Sequence, residues 1–97
     1  MPVRTVPRVD EPWDERKARA NLRKHQVSFE EAKTVVKDRR ARTEPDLEHS
    51  YDELRQRTTG MSNRGRLITL VFVYRNGMIR PITAWRATKR ESDDYNV

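Results

Sequence analysis

The sequence predicts an α+β fold: two N-terminal helices packed on a small antiparallel sheet of three to four strands, closed by a short C-terminal helix. Three observations predict it. Helical spacing and helix-capping signals fill the chain up to about residue 38, and strand-type runs divided by turn signals follow from about residue 54. The length, 97 residues, is that of one domain. Helices first and strands afterwards argue against the βαβ alternation of a parallel sheet.

Residues 1–12 contain Pro2, Pro7 and Pro12 and little periodicity. They read as an extended or disordered lead-in to a single domain over residues 13–97, with room for a short strand before Trp13. Asp14 can cap a helix running to about residue 26. Trp13 and Ala18 fit its hydrophobic staple. Ala18 and Leu22 share one face, and most other positions are charged, so this helix is weakly amphipathic and basic. Ser28 and Glu31 make an S-x-x-E capping box, with Val27 and Ala32 at the staple positions. Phe29, Ala32 and Val36 recur at helical spacing and should face the core of a helix ending near residue 38.

From about residue 41 the period changes. Residues 44–50 read as a polar loop containing Pro45, and residues 54–61 as a moderate strand. Ser62, Asn63, Arg64 and Gly65 make a turn. Residues 66–74 are the strongest strand, and their near-continuous apolar run predicts a central strand buried on both faces. Asn76-Gly77 predicts a hairpin turn of the primed type. Residues 79–85 are the returning strand. Pro81 cannot donate a ladder hydrogen bond, so that strand is an edge or carries a bulge. Thr88 and Glu91 make a further capping box that opens the last helix.

Charged residues make up 37% of the chain and apolar residues 34%, so the core is lean and stability modest. The formal charge of +6 suggests a polyanionic partner, of which nucleic acid is the commonest. The cations are spread through both halves, which favours a folded basic surface over a basic tail. There is no cysteine, hence no disulfide framework and no thiolate zinc site. His25 and His49 are too far apart in sequence to suggest a metal cage. There is neither an 18-residue apolar run nor a secretory h-region, so a cytoplasmic protein without membrane contact is expected. A large multi-step enzyme, a doubly wound nucleotide-binding fold and a solenoid are excluded by length.

The second half gathers His49, Glu53, Arg55, Arg64, Arg66, Arg80, Arg86 and Lys89. A ribonuclease that works without metal or other cofactor needs little else. A base takes the ribose 2′-OH proton, an acid protonates the leaving oxygen, and cations stabilise the charge on phosphorus. Histidine or glutamate can be the base, and arginine fits phosphate bidentately. Each residue also has a plainer role. Glu53 and Arg55 can form a surface ion pair, Arg80 and Arg86 can be solvated, and His49 can be an ordinary exposed histidine. His25 near a helix C-terminus fits a dipole-stabilised cap. Trp13 and Trp85 can stack on bases, or pack as staple and core residues.

Four blocks sharpen the choice. W-D-x-x-K-A-x-x-N-L-R-K-H-x-V-S-F-E-E-A runs from Trp13 to Ala32, and D-x-x-H-S spans Asp46 to Ser50. Glu53 and Arg55 form E-x-R, followed by Gly60-Met61-Ser62 and Gly65-Arg66-Leu67. Ile79 to Ala84 make I-R-x-I-T-A, leading into A-T-x-x-E at Ala87 to Glu91. In these blocks the segment from Glu11 to Tyr95 resembles the BrnT toxin family. The resemblance implies a RelE-like fold and a type II toxin that cleaves RNA and arrests translation. It implies a BrnA-like antitoxin with a ribbon-helix-helix part, joined to the toxin as a 2:2 heterotetramer that reaches operator DNA only through the antitoxin. Carried over by position, it points to Lys17, His25, His49, Glu53, Arg55, Arg80 and Arg86. Lys24, Arg64, Arg66 and Lys89 are further candidates for the RNA backbone. The chain departs from the family pattern at Gln26, where glycine is usual, and at Trp85, where arginine is usual, which moves the arginine to Arg86.

The resulting expectation is a metal-independent endoribonuclease toxin, with proton transfer by His49 or Glu53. The alternative is a catalytically weak binding module that acts as a corepressor through its antitoxin. A third reading is a ribosome-associated RNA-binding protein.

Overall fold

The computed structural model describes residues 13–50 and 53–97. The helices are α1 (Glu15–His25), α2 (Phe29–Lys33) and α3 (Lys89–Tyr95). The strands are β1 (Arg42–Pro45), β2 (Gln56–Met61), β3 (Leu67–Arg75) and β4 (Met78–Arg86), antiparallel in the spatial order β1-β2-β3-β4. The expected lead-in and the strand before Trp13 lie outside the described residues. Among the described residues no helix is long and apolar enough to cross a membrane.

The apolar run makes β3 the central strand, with Ile68 to Val73 buried on both faces. Ile68, Leu70 and Phe72 point one way and meet Val27, Ala32, Val35 and Ala84 in the main core. The β3–β4 turn has Asn76 at φ 54° and Gly77 at φ 76°, the primed geometry expected of Asn-Gly. β4 is an edge and also carries a bulge. Val71 pairs with Thr83 and Phe72 with Pro81, leaving Ile82 as the extra residue beside the proline.

α1 covers the outer edge of β4 with a polar residue. The Asn21 amide donates to the carbonyls of Val27 and Ala84 at 3.0 and 2.9 Å. Its oxygen accepts from the Ala84 N–H at 3.1 Å and the Thr83 hydroxyl at 3.0 Å. Both donors and both lone pairs are thereby used, and one rung of the edge is closed. Leu22, expected on the apolar face, is 50% exposed. Trp13 packs edge-on against Phe29 at 5.9 Å. The helix ends at Gln26, whose φ of 58° keeps the left-handed turn that glycine favours.

α2 is shorter than its pattern suggested. After Lys33 the chain tightens into a 3-10 turn over Thr34–Lys37. The β-branched run Thr34-Val35-Val36 suits an α-helix poorly. A 3-10 turn repeats every three residues, so Phe29, Ala32 and Val35 align inward while Val36 is 38% exposed. The capping box at Ser28 is half made. Ser28 accepts from the Glu31 N–H at 3.0 Å, whereas the Glu31 carboxylate takes Arg66 and Ser62 instead.

The stretch expected as a loop over residues 44–50 begins as a strand. β1 is exposed along its whole length and pairs with β2 through Arg42↔Thr59 to Pro45↔Gln56. A 3-10 turn over Leu47–His49 follows. Gly60 of β2 lies against the turn after α2, where an added Cβ would stand 2.9 Å from the Val35 carbonyl oxygen and 3.1 Å from the Ala41 Cβ. Gly60→Ala should therefore lower stability by about 1–3 kcal/mol, read as the shift of a urea unfolding midpoint. An unchanged midpoint would mean that the turn yields without cost.

Candidate active site

Alternation along the strands sends a second set of side chains to the face away from the main core. Cross-strand register arranges them in rows. Thr59, Thr69 and Trp85 form one row, Arg57, Val71 and Thr83 the next, and Val73 and Arg80 the one beyond. α3 lies over the first row. Its capping box is complete, with Glu91 accepting from the Thr88 N–H at 2.8 Å. The same carboxylate accepts from the Thr69 hydroxyl at 2.9 Å and from the Trp85 indole N–H at 3.1 Å. The hydrogen of Thr69 is thus committed to Glu91, so Thr59 is the donor in the 2.7 Å contact between the two threonines.

The 3-10 turn after β1 brings two chemical groups to this row. Asp46 is 1% exposed. Its N–H donates to the Arg55 carbonyl at 2.8 Å, its carbonyl accepts from the Ser50 hydroxyl at 2.7 Å, and Ser50 Oγ accepts from the Arg55 N–H at 2.9 Å. Asp46 Oδ2 lies 2.6 Å from His49 Nδ1. With Asp46 as a carboxylate, Nδ1 is the donor of this bond, and in the neutral ring Nε2 then holds the lone pair. The His49 ring stands 6.1 Å from Trp85, and the His25 ring, at the end of α1, stands 6.4 Å from the same indole. Two imidazoles from distant parts of the sequence thus share one aromatic neighbour.

Arg57 occupies the next row. It donates to Glu44 at 2.7 Å. That bond, with the charges of Asp46, Glu44 and Glu91, holds its guanidinium in the cationic form against the cost of burial. A cleft of about 550 Å³ opens here, lined by Glu44, Asp46, Glu48, Arg57, Arg90 and Glu91 among others. Asp46, Glu48 and His49 bring three atoms of metal-ligating type within 4.8 Å of one another, but Asp46 Oδ2 and His49 Nδ1 are engaged with each other.

The remaining candidates take various positions. Arg80 stands opposite Val73, two rows from Trp85, and Arg55 immediately precedes β2. Glu53 is bound by Arg75 at 2.7 Å rather than by Arg55. Arg86 ends β4, exposed and in register with Ile68. Arg66 is committed to Glu31 on the helical side of the sheet, with exposed Arg64 3.8 Å from the same carboxylate. Lys89 pairs with Asp93 at 3.2 Å on the surface. Ala18, Arg19 and Leu22 of α1 line a groove with Phe29 of α2. At 100° per residue, Lys17 and Lys24 fall on the opposite flank, and both are exposed. Sequence reasoning missed Asp46, Arg57 and Glu91 as members of this face. The available signal was the D-x-x-H spacing, which one 3-10 turn superimposes.

A family model described as ribonuclease toxin, BrnT, of type II toxin-antitoxin system matches residues 13–91. No match was found among the curated proteins.

Proposed function

The chain belongs to the BrnT family of ribonuclease toxins of type II toxin-antitoxin systems, and from that premise we propose that it is a metal-independent endoribonuclease that arrests translation, with His49 as general base. The Asp46–His49 pair carries this reading. A buried carboxylate fixes the imidazole tautomer and orientation, and leaves Nε2 able to accept a proton. Nε2 takes the hydrogen of a ribose 2′-OH. The 2′ oxygen bonds to phosphorus as the bond to the 5′ oxygen breaks, and that oxygen takes a proton from His25. The products are a 2′,3′-cyclic phosphate and a 5′-hydroxyl end.

Arg57 lies nearest in the row arrangement, and Arg55 and Arg80 lie beyond, at a spacing of about 7 Å per row that suits successive phosphates. Lys17 and Lys24 extend the cationic path along α1, whereas Arg86, in register with the core-facing Ile68, and Arg64, beside Glu31, lie toward the helical side of the sheet and are left out of it. We leave Arg66, bonded to the buried Glu31, and the anionic Glu53, bonded to Arg75, out of this path, and keep Arg57 because its partner Glu44 is exposed. The protein acts in the cytoplasm. A BrnA-like ribbon-helix-helix antitoxin neutralises it in a 2:2 assembly, and operator DNA is reached through the antitoxin alone.

The test is inducible expression in a bacterial host, wild type beside Arg55→Ala/Arg80→Ala, with growth and RNA ends read together. Arrest with new cyclic-phosphate ends in the wild type alone is expected. Normal growth with intact RNA, from verified soluble wild type, would overturn the reading and leave a corepressor.

A further inference from the structure

The two tryptophans are used differently. Trp13 is a packing residue, edge-on to Phe29 and capped by Lys33 Nζ at 5.1 Å. Trp85 lies away from the main core. The alternation of β4 sends Ala84 into that core and Trp85 to the other face, half-buried. Its neighbours there are His25, His49, Thr69 and the Glu91 carboxylate, a polar company for so large an apolar ring. The plane of the indole is fixed in advance. Nε1 is tied to Glu91, and Glu91 is held in turn by Thr69 and by the Thr88 N–H.

We infer that Trp85 is a nucleobase-binding subsite, on which one unpaired base of single-stranded RNA stacks beside the phosphate attended by His49. The inference rests on the ribonuclease reading above. A fixed indole accepts any base, because every base has a π-face, so the subsite grips RNA without reading sequence. It selects single strands, because bases inside a duplex are already stacked and out of reach. The imidazoles on the same indole place the stacked nucleotide within one step of the base His49 and the acid His25. Arg57 in the next row and Lys17 and Lys24 on the near flank of α1 supply the phosphate contacts that stacking lacks.

The experiment uses Trp13→Phe protein, in which Trp85 is the sole tryptophan, and a short 2′-O-methyl oligoribonucleotide, which cannot be cleaved because its 2′ oxygen has no hydrogen to lose. Binding should quench Trp85 emission. An abasic oligomer of the same length should bind more weakly and quench little. Trp85→Ala, checked for fold by circular dichroism, should weaken binding by about five- to hundredfold, and Trp85→Phe by much less. Oligomer binding seen by anisotropy, with unchanged tryptophan emission and equal affinity for the abasic oligomer, would overturn the subsite and spare the ribonuclease reading. Absence of any binding would sink both.

Discussion

His49→Ala should lower RNA cleavage by about 10²–10⁴-fold while leaving the affinity for an uncleavable oligoribonucleotide nearly unchanged. The reason lies in what His49 touches. Its Nδ1–H is spent on a carboxylate that is almost wholly buried, so only Nε2 remains for substrate. If His49 is the base, as proposed, removing the ring removes the proton acceptor and little of the binding surface. The loss therefore falls on kcat and leaves KM near its wild-type value. Asp46→Asn is the sharper variant. It keeps the size of the side chain and the backbone bonds to Arg55 and Ser50 that hold the turn. An amide can donate to Nδ1, however, and that moves the hydrogen to Nε2 and blunts the base. Cleavage should fall while the circular dichroism spectrum and oligomer affinity stay in place. His49→Ala protein that cleaves within about tenfold of wild type would show that the proton goes elsewhere.

The parts of the fold that were legible in sequence are those that water organises. β3 announces itself because a strand buried on both faces has no polar alternation to dilute the signal. The Asn76-Gly77 turn and the Pro81 bulge follow from what those residues can and cannot do with φ and with a missing N–H. β1 was hidden for the opposite reason. Charges and a proline protect an exposed edge from foreign strands, and they also erase the hydrophobic pattern by which strands are recognised. The second helix misled at Val36 because a 3-10 turn changes the period from 3.6 to 3.0, and period is the only handle a sequence offers on direction.

The site divides along the same line. His25 and His49 are visible as residues, but their meeting at Trp85 depends on α1 closing the edge of β4 through Asn21, a long-range fact that no local spacing encodes. Asp46 was visible only as a letter in a motif. Its burial and its bond to His49 Nδ1 depend on the fold of the turn and are not written in the spacing.

Glu31→Ala should destabilise the domain by about 3–5 kcal/mol, a large share of what a chain of this size holds in reserve. Glu31 is 4% exposed, and its carboxylate accepts two bonds from Arg66 and one from Ser62 at 2.7 Å. Arg66 also donates to the Gln26 carbonyl at 3.1 Å. One cluster thereby ties the end of α1, the helix α2 and the β2–β3 turn. Deleting the carboxylate strands a partly buried guanidinium and a buried hydroxyl, and urea unfolding should show the loss directly.

Acid should produce a graded version of the same effect. The Arg66 hydrogen bond, foremost, holds the Glu31 carboxyl below its ordinary 4.5; burial opposes it, and the Ser62 bond and the charges of Arg66 and Arg64 assist. The folded state thus favours the ionised form. Its contribution is complete above 4.5 and is lost as pH falls through the lower folded value. Asp38 adds a second loss of the same sign, because the Tyr95 hydroxyl and the N–H groups of Met61 and Arg40 hold its carboxyl low. Glu31→Gln should accordingly lose less stability than wild type as pH falls below 4.5, with Asp38 contributing to the slope that remains. Parallel curves for the two proteins would mean that Glu31 gains nothing from its ionisation. The cluster lies across the sheet from His49, so the Gln variant, where still folded, should bind and cleave RNA as wild type does. That outcome separates what holds the domain together from what acts on substrate.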